Sequence, residues 1–211
     1  MPFRWYKSPW WIPKLLPQMF WQLPAPHAEP PQVFLTFDDG PFPQVTDYVL
    51  DTLAAYQAKG SFFCVGKQAQ AQPQLIQKIQ AAGHCVGNHS FSHLHGWHSN
   101  TAVFMDDVAK AAEILPATTW FRPPYGKLDY GKYKAVRRAG YRIAMWDILT
   151  YDFDKQLSAE AILRKTLPLI ANGSIIVLHD QPTCFDKMQI LLPAYLDFAQ
   201  QQGFRCAALP F

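Results

Sequence analysis

Two adjacent carboxylates, Asp38 and Asp39, and two histidines four residues apart, His89 and His93, are the side chains of this 211-residue chain whose types and spacing best suit chemistry. The carboxylates stand in Thr36-Phe37-Asp38-Asp39-Gly40, where an apolar run meets a loop and Gly40 permits a tight turn. Asp-Gly turns are common at strand ends, and alone this segment reads as a solvated turn. The histidines shift that balance. Five of the seven lie between His84 and His98, and one helical turn through Asn88-His89-Ser90-Phe91-Ser92-His93 would aim His89 and His93 the same way. Two imidazoles and one carboxylate can hold a catalytic dication and leave positions open for water and substrate. Zinc is the expected ion, with cobalt, nickel or manganese also compatible. Ser90 rather than Glu follows His89, which excludes the HExxH protease pattern. His84 precedes a strand and reads as structural, and His95 and His98 read as surface histidines.

Two further segments carry polar groups at strand ends. Phe121-Arg122-Pro123-Pro124-Tyr125-Gly126 combines a fixed cation with a rigid turn whose next amide, that of Tyr125, is free to donate, so an oxyanion could sit there. The plainer reading is a salt-bridged Arg beside a Pro-Pro kink. Ile175-Ile176-Val177-Leu178-His179-Asp180 ends a very apolar strand with a histidine that could act as a general acid or base. A serine nucleophile lacks a GxSxG segment, and a Cys184-His179 pair lacks a third orienting group.

These groups need a scaffold. Apolar runs at residues 33–37, 61–65, 85–86, 120–121, 141–148, 174–178 and 204–207 alternate with helix-period segments at 45–56, 73–82, 101–115, 130–139, 159–170 and 188–202. About seven such strand-helix units in one domain predict an α/β fold, with parallel strands curled into a distorted (β/α) barrel. Barrels of this kind collect their chemistry on loops at the carboxyl ends of strands, and each polar segment above falls at such an end.

TFDDG, HSFSH, RPPYG and IVLHD, in this order, resemble four of the five signatures of the polysaccharide deacetylase family (NodB-homology domain, carbohydrate esterase family 4), over about residues 33–208. The resemblance implies hydrolysis of N-acetyl groups from a glycan of chitin or peptidoglycan type that contains N-acetylglucosamine. It implies Asp38 as catalytic base, Asp39, His89 and His93 as metal ligands, and His179 as the acid that protonates the departing amine. Arg122 would orient Asp38, and the Tyr125 N–H would help stabilise the oxyanion. The fifth signature is similar to Trp146-Asp147-Ile148-Leu149-Thr150-Tyr151-Asp152-Phe153. There Asp152 matches the carboxylate paired with the acid histidine, while Leu149 stands where many relatives have Asp and Phe153 where many have Trp. Trp146 and Leu178 would contact the acetyl methyl group, with Pro123 and Tyr125 also meeting substrate. The expected His179–Asp152 pair implies a bell-shaped pH-rate profile. The alternatives are a sugar O-acetyl esterase, a small-molecule amide hydrolase, a non-catalytic carbohydrate-binding barrel and a non-haem iron redox site.

Composition narrows the partners. A net charge of +3 comes from 19 basic and 16 acidic residues spread along the chain, without the basic stripe that nucleic acid requires. Cys64, Cys85, Cys184 and Cys206 show no CxxC pairing, and buried free thiols are the plain expectation for Cys64 and Cys85. No stretch approaches the roughly 20 apolar residues of a membrane-spanning helix. Residues 1–31 hold eight of the 18 prolines and four of the seven tryptophans and read as an extended arm packed over a catalytic domain at 32–211. Trp and Lys in that arm also suit peripheral contact with a membrane surface. Pro9, Pro13, Pro17 and Lys14 interrupt what would be the apolar core of a secretory signal. A monomeric bacterial enzyme is expected, cytoplasmic or peripheral to the inner membrane.

Overall fold

The computed structural model describes residues 4–23 and 29–210. The arm contributes a single helical turn, α1 (Ile12–Leu15), and a short strand, β1 (Met19–Phe20). The chain continues through β2 (Gln32–Asp38), α2 (Val45–Ala55), β3 (Gly60–Cys64), α3 (Gly66–Ala71), α4 (Pro73–Ala81), β4 (Cys85–Asn88), α5 (Thr101–Ala112) and β5 (Trp120–Phe121). It ends through α6 (Tyr130–Arg138), β6 (Arg142–Ala144), β7 (Ile148–Leu149), α7 (Ala159–Thr166), β8 (Ile175–His179), α8 (Phe185–Gln201) and β9 (Arg205–Cys206). Helix starts follow local chemistry: Asn100, Asp129 and Ser158 cap α5, α6 and α7 through side-chain oxygens, and Pro73 opens α4.

The strands form one curled sheet in the order β1-β6-β5-β4-β3-β2-β8-β7, with β9 paired to β2. Every strand pairing is parallel. The expected α/β distorted barrel is therefore what the chain forms. Its central strands are apolar runs because both faces are covered: β2 is buried at every position but its first, and β3 throughout. Side chains alternate between two layers. Phe34, Phe63, Cys85, Trp120, Ala144 and Ile175 fill the inner face of the curl, while Leu35, Phe37, Phe62, Ile176 and Leu178 pack under the helices.

Two expectations are corrected, and one helix is added. The single run at 141–148 divides into β6 and β7, which lie on opposite sides of the sheet, β7 at one edge and β6 next to β1 at the other. Arm backbone takes the groups freed between them: Met145 N–H donates to Phe20 O, Ser8 N–H to Asp147 O, and Leu149 N–H to Tyr6 O. The arm is thus more than an extended cover. β1 pairs with β6 and forms one edge of the sheet, and Lys7 bridges antiparallel to Ile148 of β7 at the other edge, so the arm covers β6 and blunts β7. Pro13 sits in the first turn of α1, where its missing N–H costs no helical bond. The added helix is α3, which had no apolar periodicity to reveal it. Residues 1–3 and 24–28 of the arm lie outside the described residues. No helix among the described residues is long and apolar enough to cross a membrane. All four cysteines are buried and free.

Candidate active site

Strand register assembles the site. Asp38, the last residue of β2, is the direct partner of His179, the last of β8, and Asn88 of β4 is the partner of Cys64 and Phe121. Asp38, Asp39, His89, Arg122 and His179 consequently all sit at, or one residue beyond, carboxyl ends of neighbouring strands.

Asp39, His89 and His93 offer ligand atoms that all lie within 4.8 Å of one another. Asp39 Oδ1 is 3.1 Å from His93 Nε2 and 3.7 Å from His89 Nε2, yet among the described residues this buried oxygen has no hydrogen-bonded partner. A buried carboxylate oxygen facing two imidazole nitrogens, with no N–H aimed at it, is a cation-shaped environment. The second ring nitrogen of His89 strengthens the fit. Nδ1 lies 2.7 Å from the Arg122 carbonyl oxygen, which can only accept, so Nδ1 carries the hydrogen and Nε2 presents its lone pair to Asp39. Burial, outweighing the pull of Asp38 and Asp39, lowers the His89 pKa to about 4 and keeps it a neutral ligand. Burial pushes Asp39 up, but His93, His179 and His89 bring it down to about 2. The residues present therefore fit a divalent cation.

The expected helical turn through 88–93 is absent. Ser90 and His93 adopt left-handed backbone conformations instead, at φ 61° and 57°, and Asn88 Oδ1 accepts the Ser90 N–H to hold the bend. Asp39 (φ 81°) and Tyr125 (φ 58°) are left-handed too. Such conformations cost about 1–3 kcal/mol each and persist where the surroundings over-determine them, commonly at functional sites.

Asp38 belongs to a different network. Arg122, with no solvent exposure, donates from Nη1 to Asp38 Oδ1 and Thr36 Oγ1, both at 2.7 Å, and from its other nitrogens to the Ala144 and Met145 carbonyls. Its guanidinium also lies over the Phe63 ring. Opposite, His179 Nδ1 lies 2.7 Å from Asp152 Oδ1, and the His179 backbone N–H donates to Asp152 Oδ2 at 2.7 Å. Burial alone would lower the His179 pKa. Asp152, with Asp38 and Asp39 beyond it, raises it to about 9.

Asp38, Asp39, His89, His93 and His179 line a cavity of about 680 Å³ that also meets Pro123, Tyr125, Trp146, Leu149 and Phe153, with Arg122 and Asp152 behind its wall. Leu178 does not line it. It is fully buried in the layer under the helices, and Val177 takes the place expected of it. Side chains two residues apart share a strand face, so His179 in the cavity requires Val177 there and turns Leu178 away. Asp180 is a residue to which the sequence assigned no role. It is buried and accepts from Gly40 N–H at 3.1 Å and Thr46 Oγ1 at 2.7 Å, pinning the turn that carries Asp39. Burial, reinforced by Asp39 and Asp38, raises its pKa to about 8 against those bonds. Its position directly after His179 was its only signal. His84 is structural as expected, its Nδ1 accepting the Gly60 N–H. His95 stacks on His98 and meets the ring of Tyr125 at the cavity mouth.

A family model described as polysaccharide deacetylase matches residues 26–144. A peptidoglycan-N-acetylglucosamine deacetylase of Bacillus cereus is 33% identical over 156 residues, covering 72% of this chain and 56% of its own length. A chitooligosaccharide deacetylase of Sinorhizobium fredii is 33% identical over 162 residues, covering 71% of this chain and 72% of that protein. The structure of the Bc1960 peptidoglycan N-acetylglucosamine deacetylase aligns with a TM-score of 0.79 at 28% identity, covering 96% of this chain and 95% of that one. The chain spans about half the length of that Bacillus cereus relative, and with the family model matching more than half of its residues, this chain belongs to the polysaccharide deacetylase family.

Proposed function

We propose that this chain hydrolyses the N-acetyl group of N-acetylglucosamine units in a chitin- or peptidoglycan-type glycan, releasing acetate. The observation that carries this reading is the division of labour between adjacent carboxylates: Asp39 faces two imidazoles, while Asp38 is held 2.7 Å from a buried arginine. Binding alone needs no such pair. The named relatives act on peptidoglycan and on chitooligosaccharides, both N-acetylated glycans.

Asp39, His89 and His93 would hold the ion, and two nitrogens with one oxygen suit zinc, with cobalt, nickel and manganese also accommodated. When bound, a dication supplies Lewis-acid polarisation of the acetyl carbonyl and acidifies water. Asp38 accepts a proton from the attacking water, with Arg122 fixing which oxygen faces the cavity. The Tyr125 N–H donates to the developing oxyanion. His179, kept protonated up to about pH 9, delivers a proton to the departing nitrogen. Trp146 and Val177 bound the acetyl methyl group, since both line the cavity.

The test is acetate release from N-acetylglucosamine oligomers by the zinc-loaded protein. Stoichiometric acetate and free amine support the assignment; release only from an O-acetylated xylan would replace it with an esterase.

A further inference from the structure

Aromatic side chains run from the catalytic cavity to Tyr6 of the arm, and two of the arm's tryptophans, Trp5 and Trp11, adjoin that run. Phe153 lines the cavity and its ring centroid is 5.1 Å from that of His179. Tyr151 follows at 5.8 Å from Phe153, and Tyr6 of the arm at 5.4 Å from Tyr151. The Tyr151 hydroxyl donates to the Trp5 carbonyl, and the Trp5 ring lies 6.1 Å from that of Trp11. Phe153, Trp5 and Trp11 are 46%, 43% and 42% exposed, large values for rings of this size.

Fixed backbone holds these rings in place. Arg4 pairs with Asp154, Lys7 with Asp147 and the Leu169 carbonyl, and Ser8 Oγ donates to the Trp146 carbonyl. The same pairings engage the charges of Arg4 and Lys7, and Lys14 lies over the Trp10 ring, so each cation of the arm among the described residues is engaged beside an aromatic surface. An aromatic surface of that kind complements the apolar C–H faces of uncharged pyranose rings, and rigid rings bind with little ordering cost. An anionic bilayer would call for free cations at this place.

We propose that this run is a glycan track: it holds the sugar units that flank the reacting one, so that longer N-acetylated oligomers bind through Phe153, Trp5 and Trp11. The inference rests on the deacetylase reading above and adds a binding surface to it.

The test measures binding of N-acetylglucosamine disaccharide and hexasaccharide by calorimetry, using the Asp38→Asn protein so that ligand is not consumed. Hexasaccharide is expected to bind more tightly than disaccharide. Trp5→Ala and Trp11→Ala are each expected to weaken hexasaccharide binding about tenfold, with little change for the disaccharide. Trp10→Ala, whose ring is 74% exposed but lies off the run, is the control expected to keep the length dependence. Retained circular dichroism shows that each variant folds. Equal affinity for both lengths overturns the track, as does an unchanged length dependence in Trp5→Ala and Trp11→Ala. Loss of phosphatidylglycerol-vesicle binding in those two variants with oligomer binding intact would overturn it in favour of a membrane contact. Acetate release by the unsubstituted protein distinguishes the two failures: if release persists, only the track falls, and if no oligomer is bound or hydrolysed, the deacetylase reading falls too.

Discussion

His89 Nδ1 lies 2.7 Å from the backbone carbonyl of Arg122, the residue whose guanidinium holds Asp38. One position thereby fixes a metal-facing imidazole through its backbone and the adjacent carboxylate through its side chain. These two duties can be separated, because substitution removes only the second.

Arg122→Lys is accordingly expected to keep zinc affinity near that of the unsubstituted protein while lowering kcat by ~100-fold, since a single ammonium cannot reach all four acceptors. Arg122→Ala should additionally destabilise the fold by about 3–5 kcal/mol, leaving Asp38 buried without its partner. Zinc titration with steady-state kinetics checks the first expectation and urea unfolding the second. Equal loss of zinc affinity and activity in Arg122→Lys would contradict the separation.

The His179–Asp152 pair sets the alkaline limb of activity. The acid form must be present at the start, and its pKa is raised to about 9, so kcat should fall as pH rises through about 9. Asp152→Asn removes the carboxylate that raises it and should move that limb to lower pH. Stability follows the same sign. A raised folded-state pKa contributes stability that is fully present below the ordinary histidine value of 6.5 and lost as pH rises through about 9. A kcat profile whose alkaline limb is unmoved by Asp152→Asn would remove His179 as the proton donor.

Val177 and Leu178 offer a test of strand parity. Leu178→Ala should cost about 2–5 kcal/mol in unfolding free energy, because it empties a fully buried site under the helices, without altering acyl selectivity. Val177→Ala should instead widen the cavity and improve activity on N-propionyl relative to N-acetyl oligomers. The reverse pattern would return Leu178 to the acyl pocket.

Gly40 is fixed by its neighbour. A Cβ at this position would lie 2.2 Å from Asp180 Oδ2, and that carboxylate is bound by Gly40 N–H and Thr46 Oγ1. Gly40→Ala should therefore destabilise by about 1–3 kcal/mol and weaken zinc binding by displacing Asp39. Unfolding and zinc titration measure both, and an unchanged zinc affinity would show that Asp39 does not depend on this turn.

Much of this was legible in the sequence because it rests on short-range rules. Apolar runs buried on both faces announced β2, β3 and β8, and carboxyl strand ends carried the polar segments to one rim. What stayed hidden depends on contacts between distant segments. The break between β6 and β7 follows from hydrogen bonds to the arm, which no periodicity encodes. His89 and His93 converge through left-handed residues rather than a helical turn, because Asn88 and Ser90 close the bend locally. Asp180 gains its role only when β8 lies beside β2. The Leu178 assignment, by contrast, was correctable from the sequence: strand alternation from His179 already points to Val177.

The most direct measurement is a chelation cycle on the unsubstituted, Asp38→Asn and His93→Ala proteins, following zinc content and acetate release from N-acetylglucosamine oligomers. The unsubstituted protein should bind one zinc per chain, lose activity on chelation and regain it with zinc. Asp38→Asn should bind zinc and release no acetate, and His93→Ala should bind it poorly. Acetate release that persists in metal-free protein, or in Asp38→Asn, would contradict a dication held by Asp39, His89 and His93 beside a catalytic carboxylate.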